Sequence, residues 1–377
     1  MKIGIVTQPL LNNYGGLLQN YALQQVLKRL GHECITLNQI PVPWIPQRIK
    51  VLSNIKTFLL KMIGKGSNRK FSWQQKNQSN YRAKHTCYFR DKYINHTQTL
   101  SKTCEFRDYV DKNKIEALIV GSDQVWRPKY NHNIFWSFFN FAEKRSLKRI
   151  SYAASFGVDF WEYSNEQTQE CKRLVKLFDG VSVREKSAVS LCQKYLECKS
   201  EFVLDPTMLL EKEDYIRLVE NEREPNCKGE LFTYILDDST QKQDCIVGIA
   251  KTLSLKPFAC MPTSAEDKYP PVTQWIRSFI DAKFVVCDSF HGAVFSIIFN
   301  KPFLVIGNKE RGMSRFDSLL ETFNLESRML ITFDAVDRRL MSDIDWKKVN
   351  RIRQEYKEIS FRFLVNALSN ATQVTTN

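Results

Sequence analysis

The sequence predicts an α/β protein built from two Rossmann-like, open parallel-sheet domains that face each other across a cleft. Three observations lead there. Short apolar, β-prone runs alternate with helical segments along the whole chain, the rhythm of βα units. Several of these runs end in small or polar residues just before a helix, where open parallel sheets bind their ligands. At 377 residues, with 43% apolar residues and only 14 glycines and 12 prolines, the chain is folded and too long for one core.

In chain order, Lys2 to Thr7 reads as the first strand, Asn12-Asn13-Tyr14-Gly15-Gly16 as a turn, and Leu17 to Leu30 as a helix stopped by Gly31. Cys34 to Asn38 is the next strand. A glycine-rich loop feeding a helix lets backbone approach a bound oxygen closely. Asn13, Gly15 and Gly16 are therefore candidate contacts, although a plain turn explains them as well. Neither the GxGxxG nor the GK[ST] pattern is present.

Residues 41–93 break the rhythm. Pro41, Pro43 and Pro46 mark a loop, Ile49 to Ile63 reads as an amphipathic helix, and Gly64 to Asn80 reads as a polar, mobile stretch. From Arg48 to Lys92 the chain carries twelve Lys or Arg and one acid, Asp91, which supplies +11 of the net charge of +14. A solvated helix face explains this; so does contact with an anionic membrane surface, nucleic acid or acidic substrate.

Ala117 to Val120 is a strand ending in Gly121-Ser122-Asp123-Gln124-Val125-Trp126, where Ser122 and Asp123 can meet a hydroxyl-bearing ligand or cap a turn. Arg149 to Ser155 is a strand, and Ser164-Asn165-Glu166-Gln167 is a capping box opening a helix to Phe178. Gly180 to Val183 is a strand leading to Arg184 and a helix from Glu185 to Leu196. Arg184 can hold a carboxylate or phosphate, or pair with an acid. Phe202 to Leu204 is a strand ending at Asp205-Pro206-Thr207, and the domain change is placed there, giving an N-terminal domain over 1–200 and a C-terminal domain over 201–340. Glu230 to Ile235, Lys256 to Cys260, Phe284 to Cys287 and Phe303 to Ile306 are the later strands, with a helix over Val272 to Ala282. Ser314 caps a helix from Arg315 to Phe323. Residues 341–377 contain a long helix, Asp345 to Leu368, expected to pack back on the first domain.

The stretch Phe284 to Asn300 concentrates the chemistry. An apolar strand gives way to Asp288-Ser289-Phe290-His291-Gly292 and then to an apolar helix. His291 thus stands at a helix N-terminus, where free N–H groups and the helix dipole favour an anion. An imidazole there can also pass a proton near neutral pH. A purely structural histidine is about as well supported by the sequence alone.

Other classes are disfavoured. No apolar run approaches the roughly 20 residues of a membrane span, and the apolar start is broken at Thr7-Gln8-Pro9, unlike a secretory signal. Ten cysteines without a CxxC pair fit reduced thiols, and the five scattered histidines give no metal-ligand spacing. A cytoplasmic chain without metal or cofactor is expected. No nucleic-acid-binding motif accompanies the basic window.

Two open α/β domains facing a cleft make a glycosyltransferase-B-like architecture. Over roughly Ile3 to Leu325 the chain resembles the polysaccharide pyruvyl transferase family. The resemblance rests on Asn13-Tyr14-Gly15-Gly16, Gly121 to Trp126, Tyr152 to Gly157, Val183-Arg184-Glu185, Leu204-Asp205-Pro206-Thr207 and Ser289-Phe290-His291-Gly292. It implies transfer of a pyruvyl group from phosphoenolpyruvate to a sugar or lipid-linked oligosaccharide of a bacterial surface or capsular polysaccharide. It assigns His291 as the essential histidine and Arg184 as a donor-binding arginine. Where the family has a second arginine, two residues before the histidine, this chain has Ser289; Arg311 and Arg315 are the nearby replacements. Asp288 is expected to orient His291 or bind the acceptor, and Gly292 to present a donor-binding helix terminus. Asn13, Gly15, Gly16, Ser122 and Asp123 then fall on the acceptor side. The basic window is expected to meet the acceptor's lipid carrier at the inner membrane face. The rival readings are a nucleotide-sugar glycosyltransferase on the same fold and a non-enzymatic polyanion-binding protein.

Overall fold

Eleven strands form two all-parallel sheets in the computed structural model, which describes residues 1–39, 56–57, 60, 72–131, 133–307, 312–330 and 343–369, with backbone alone at 72–76. The first sheet contains β1 (Lys2–Val6), β2 (Glu33–Thr36), β3 (Ala117–Val120), β4 (Lys148–Ala154), β5 (Gly180–Val183) and β6 (Glu201–Phe202), in the order β2-β1-β3-β4-β5-β6. The second contains β7 (Leu231–Tyr234), β8 (Pro257–Ala259), β9 (Phe284–Cys287), β10 (Phe303–Ile306) and β11 (Met329–Leu330), in the order β11-β10-β9-β7-β8. The central strands are fully buried, as parallel strands covered on both faces must be, and this is why they read as unbroken apolar runs.

The two domains share one core. Leu17, Leu18 and Val26 of the Tyr14–Arg29 helix belong to the same buried cluster as Phe232, Val285 and Phe295 of the second domain. The other face of the first sheet has its own cluster around Leu118, Val120, Trp126 and Phe139. Backbones also meet across the domains: at Gly312, φ is +87°, and a Cβ would overlap the Gly157 carbonyl. Only glycine allows both that φ and that approach.

The Trp346–Leu368 helix is capped by Asp345, which accepts from the Lys348 N–H at 3.0 Å. It lies against the first domain. Ser360 Oγ accepts from the Leu204 N–H at 3.0 Å, and a Cβ at Gly180 would stand 2.9 Å from that of Ala367.

Several sequence expectations are corrected. The break at residue 200 comes one strand early, because β6 pairs with β5 (Ser182 with Glu201, Val183 with Phe202) and completes the first sheet. The strand expected through Leu204 stops at Phe202, since Asp205-Pro206 starts a 3₁₀ turn. Ser314 is inside its helix, Ser314–Phe323, and makes no capping bond. The helix after Arg184 is α only over Lys186–Leu191 and widens into a π turn at Cys192–Leu196. Of the stretch expected to be mobile, Ser72 onward is helix, Ser72–Arg82. Arg82 docks it on the second domain, donating to the Asp267 carbonyl at 3.3 Å and lying 5.2 Å from the Tyr269 ring. Residues 64–71 and most of the Ile49 to Ile63 segment lie outside the described residues; Lys56, Thr57 and Leu60 within it are helical.

Candidate functional site

The strand ends of both sheets converge on a cleft of about 330 Å³. Asn12, Asn13 and Asp123 line it from the first domain, and Ser289, His291 and Arg315 from the second. No single element makes this site; the domain junction does.

His291 is the second residue of the Phe290–Ile298 helix, whose ladder begins with the Ala293 N–H donating to the Ser289 carbonyl at 3.1 Å. The N–H groups of Phe290, His291 and Gly292 therefore form the unpaired first turn. The imidazole is 5% exposed and packs against Gly15, where a Cβ would overlap the ring. Its Nε2 has no hydrogen-bond partner among the described residues and lies 3.6 Å from Asp205 Oδ2. That is ion-pair distance and too long for a good hydrogen bond. A buried polar atom left without a partner calls for an explanation, and at a cleft edge a ligand provides one.

Asp205 is the centre of the cluster. Its Oδ1 accepts from the Thr207 N–H and hydroxyl at 3.0 and 2.7 Å, and its Oδ2 from Arg184 Nη1 at 2.7 Å and Ser122 Oγ at 3.2 Å. Arg184 Nη2 reaches Asp123 Oδ1 at 3.3 Å, and Asp123 Oδ2 accepts from Asn13 Nδ2 at 3.1 Å. Asn13 in turn caps its own helix by accepting from the Gly16 N–H at 3.1 Å. One chain of polar contacts thus runs from the first glycine turn to the histidine of the second domain. Asp123 holds φ +70°, a conformation in which Asp and Asn are over-represented among non-glycine residues.

Burial opposes charge on every member, and the partners decide the outcome. For Asp205, burial is outweighed by His291, Arg184 and Thr207, which hold its carboxyl well below the usual range. For Asp123, burial is outweighed by Arg184, His291 and Arg315. Arg184 is buried too, yet Asp205 and Asp123 raise its proton affinity. Burial wins at Glu185 and pushes its carboxyl up. Burial, with Arg184 alongside, pushes Arg315 down to about 10, so it stays charged at neutral pH. Two buried guanidiniums, Arg184 and Arg315, thus stand among the carboxyl groups of Asp123, Asp205 and Glu185, and burial prevails in favour of the neutral form only at Glu185 among the three.

The expected residues separate into those at the cleft and those behind it. Asn13, Asp123, Ser289, His291 and Arg315 line it. Arg184 does not: its side chain is 1% exposed, it is held by two carboxylates, and its guanidinium lies 4.2 Å from the Phe290 ring centroid. Ser122 is buried, with its hydroxyl donated to the Ala153 carbonyl at 2.7 Å as well as to Asp205. Gly15 is small for the imidazole, Gly16 for the Asn13 cap, and Gly292 for Cys287, whose Cβ would be 2.8 Å away. Asp288 touches the cleft, but its carboxylate accepts from the Leu236 and Asp237 N–H groups at 2.7 and 3.1 Å and from Lys242 Nζ at 2.6 Å. The carboxylate beside His291 in space is Asp205. Arg311 lies outside the described residues.

Asp205 and Tyr14 escaped the sequence reading as site residues. Asp205 carried one signal, its place in Asp-Pro-Thr at a strand end. Tyr14 carried none. It leaves the first domain to donate its hydroxyl to the Pro270 carbonyl at 2.8 Å and stacks 5.7 Å from Trp275, with Tyr234 and Tyr269 each 6.3 Å away. This socket holds the domains in the register that sets Gly15 against His291.

A family model described as polysaccharide pyruvyl transferase matches residues 13–310. Among solved structures, Arabidopsis thaliana UGT89C1 complexed with UDP-L-rhamnose aligns with a TM-score of 0.54 at 7% identity, covering 97% of this chain and 98% of that one. UDP-GlcNAc 2-epimerase from Neisseria meningitidis, bound to UDP-GlcNAc, aligns with a TM-score of 0.51 at 9% identity, covering 98% and 99%. These likenesses establish the glycosyltransferase-B fold and nothing finer. No curated protein matches the sequence significantly.

Proposed function

The chain belongs to the polysaccharide pyruvyl transferase family, and from that premise we propose that it transfers a pyruvyl group from phosphoenolpyruvate to a sugar of a surface or capsular polysaccharide, forming a cyclic ketal. The observation that carries this reading is His291 Nε2, partnerless and buried at the junction, with Asp205 behind it and a helix N-terminus beneath it.

In this reading His291 delivers a proton to the donor's vinyl carbon, leaving an oxocarbenium-like centre at the carbon that bears the phosphate. A sugar hydroxyl attacks that centre. A second hydroxyl of the same sugar then attacks, and the carbon–oxygen bond to phosphate breaks. Of the two hydroxyl protons released, one replaces the proton given to the new methyl group and the other leaves with phosphate. Asp205 stabilises the imidazolium between turnovers. Arg315 and the first-turn N–H groups of the Phe290–Ile298 helix meet the anionic donor, with Ser289 beside them. Arg184 acts one layer back, fixing Asp123 and Asp205. Asn13 and Asp123 stand on the acceptor side.

The test is phosphate release from phosphoenolpyruvate in the presence of lipid-linked glycan acceptors. Release that depends on both substrates and on His291 is expected. Thermal protection by a nucleotide sugar, with none by phosphoenolpyruvate, would move the reading to glycosyl transfer. No helix among the described residues is long and apolar enough to cross a membrane, so a lipid-linked acceptor would be met at the surface, through the basic window. Replacing Lys61, Lys65, Arg69 and Lys70 by Gln should weaken sedimentation with anionic vesicles; unchanged sedimentation would remove the membrane from the proposal.

A further inference from the structure

Beside the cleft lies a second cavity of about 510 Å³. Asn12, Asn13, Asp123 and Gln124 line both, so the two adjoin. Gln8, Lys129 and Tyr130 of the first domain and Asp237 of the second extend the wall outward.

Tyr130 is the distinctive feature. It is 40% exposed in a protein whose large aromatic residues are mostly buried. One face is backed by Arg127, whose guanidinium carbon is 4.9 Å from the ring centroid. Arg127 is itself 3% exposed and fixed: Nε and Nη2 donate to Glu162 at 2.9 and 3.1 Å, and Nη1 to Gln124 Oε1 at 3.1 Å. The exposed area of Tyr130 is therefore its other face and edge. The 3₁₀ turn that carries it, Pro128–Tyr130, starts on a proline. It is tied down by Asn131 Nδ2, which donates to the carbonyls of Gln124, Val125 and Arg127 at 3.2, 2.8 and 3.0 Å.

We infer that this cavity is a subsite for a second sugar ring of the acceptor glycan, with Tyr130 as its stacking platform and Gln8, Asn12 and Asp237 as its polar edge. An aromatic ring with one side wet suits a partner that is itself apolar on one face and polar at its rim, as a pyranose is. A ring already held in place loses little freedom when the partner docks, so the contact is converted into affinity. The charge on the walls argues against the donor binding here: Asp123 is already paired with Arg184, and Asp237 offsets Lys129, the one lysine lining the cavity, so no net positive charge is left for an anion. The cavity therefore suits a largely neutral, hydroxyl-rich ligand that continues out of the catalytic cleft. The enzyme would then read at least a disaccharide.

The inference rests on the acceptor being a glycan, and binding without donor tests it separately from catalysis. Lactose, cellobiose and chitobiose are titrated into the full-length protein beside galactose, glucose and N-acetylglucosamine, followed by saturation-transfer NMR. At least one disaccharide should bind roughly tenfold more tightly than its monosaccharide, the size of effect a buried aromatic anchor gives. Tyr130→Ala should abolish that gain and Tyr130→Phe should keep it, with both variants melting like the parent. No gain for any disaccharide, or a gain that survives Tyr130→Ala, overturns the subsite. A Tyr130-dependent gain in a protein that releases no phosphate from phosphoenolpyruvate would leave the subsite standing and overturn the pyruvyl donor instead.

Discussion

Two buried carboxylates stand just beyond strand ends, each beside a cation, and they differ in what is left over. At Asp288, after β9, the side chain is 0% exposed, and two backbone N–H groups and Lys242 occupy both oxygens. That centre is closed within one domain. At Asp205, after β6, Thr207, Ser122 and Arg184 are the near partners, and the imidazole of the other domain approaches to 3.6 Å without hydrogen-bonding. The first centre is satisfied and fixes a loop. The carboxylate of the second is also satisfied within its own domain, but the imidazole nitrogen that the other domain sets beside it has no hydrogen-bond partner among the described residues and stays available at the cleft. Satisfaction marks a structural role; an incomplete partner set at a junction marks a functional one.

The sharpest test of that contrast is activity. His291→Ala should lower turnover by roughly 10²–10⁴-fold, the size of a general acid–base contribution, with melting temperature nearly unchanged. Asp205→Asn should lower turnover in the same direction by less. Lys242→Met, which disturbs only the Asp288 centre, should leave turnover per folded molecule unchanged. A Lys242→Met loss as large as that of Asp205→Asn, measured by phosphate release on refolding-competent protein, would break the comparison. Stability comes next. Arg184→Ala leaves Asp123 and Asp205 buried without their shared cation and should cost about 3–5 kcal/mol. Lys242→Met leaves Asp288 with its two N–H donors and should cost about 1–3 kcal/mol. Urea unfolding curves of equal midpoint for the two variants would show that the two centres are energetically alike.

What the sequence disclosed follows the same division. The parallel strands were legible because burial on both faces makes them mostly apolar and β-prone, and Ala117–Val120, Gly180–Val183, Phe284–Cys287 and Phe303–Ile306 match residue for residue. The His291 turn was legible because three polar residues, Asp288, Ser289 and His291, interrupt two apolar runs. The partner of His291 was not. Asp288 is three positions away along the chain, and Asp205 arrives from another domain. Arg184 was legible as a cation at a strand end, but its enclosure depends on Asp123 and Asp205, which only folding brings to it. The approach of His291 to Asp205 crosses the domain junction, where Tyr14 packs against Trp275, Tyr234 and Tyr269, and no local pattern records that.

Gly15 offers a smaller and more local probe of the junction. Gly15→Ala puts a methyl group where the imidazole lies, so His291 must move or the domains must part slightly. Misplacement of a reacting group by about 1 Å costs on the order of 10²-fold in rate. Turnover should therefore fall by about that factor while donor affinity, read by thermal protection with phosphoenolpyruvate, is largely kept. For Gly16→Ala the nearest atom is in the Asn13 side chain, at 3.0 Å, and the change should cost far less activity. Equal losses for both would mean that the glycines serve the helix start, and that the contact with His291 is incidental.

The smallest expected effect is in the pH dependence of stability, and it separates two acids of the same cluster. Asp205 has a folded-state pKa depressed below the unfolded value of about 3.9, despite its burial, by His291, Arg184 and Thr207. Its contribution is present in full above pH ~4 and is lost as pH falls from there toward the folded value, because the unfolded chain takes up the proton first. Glu185 has the opposite sign. Burial raises its folded pKa above the unfolded value of about 4.3, so its share of stability is present in full below pH ~4 and declines as pH rises toward the folded value. Comparing each variant with the parent by urea unfolding isolates these slopes from the other carboxylates. Between pH 4 and pH 3 the parent should lose up to about 1 kcal/mol more than Asp205→Asn, since one pH unit of one fully linked proton is worth about 1.4 kcal/mol. Between pH 4.5 and pH 5.5 the parent should fall relative to Glu185→Gln by a similar or smaller amount. Parallel curves for Asp205→Asn and its parent across the acid window would mean that Asp205 is not held ionised by the junction. The contrast with Asp288 would then have lost its electrostatic basis.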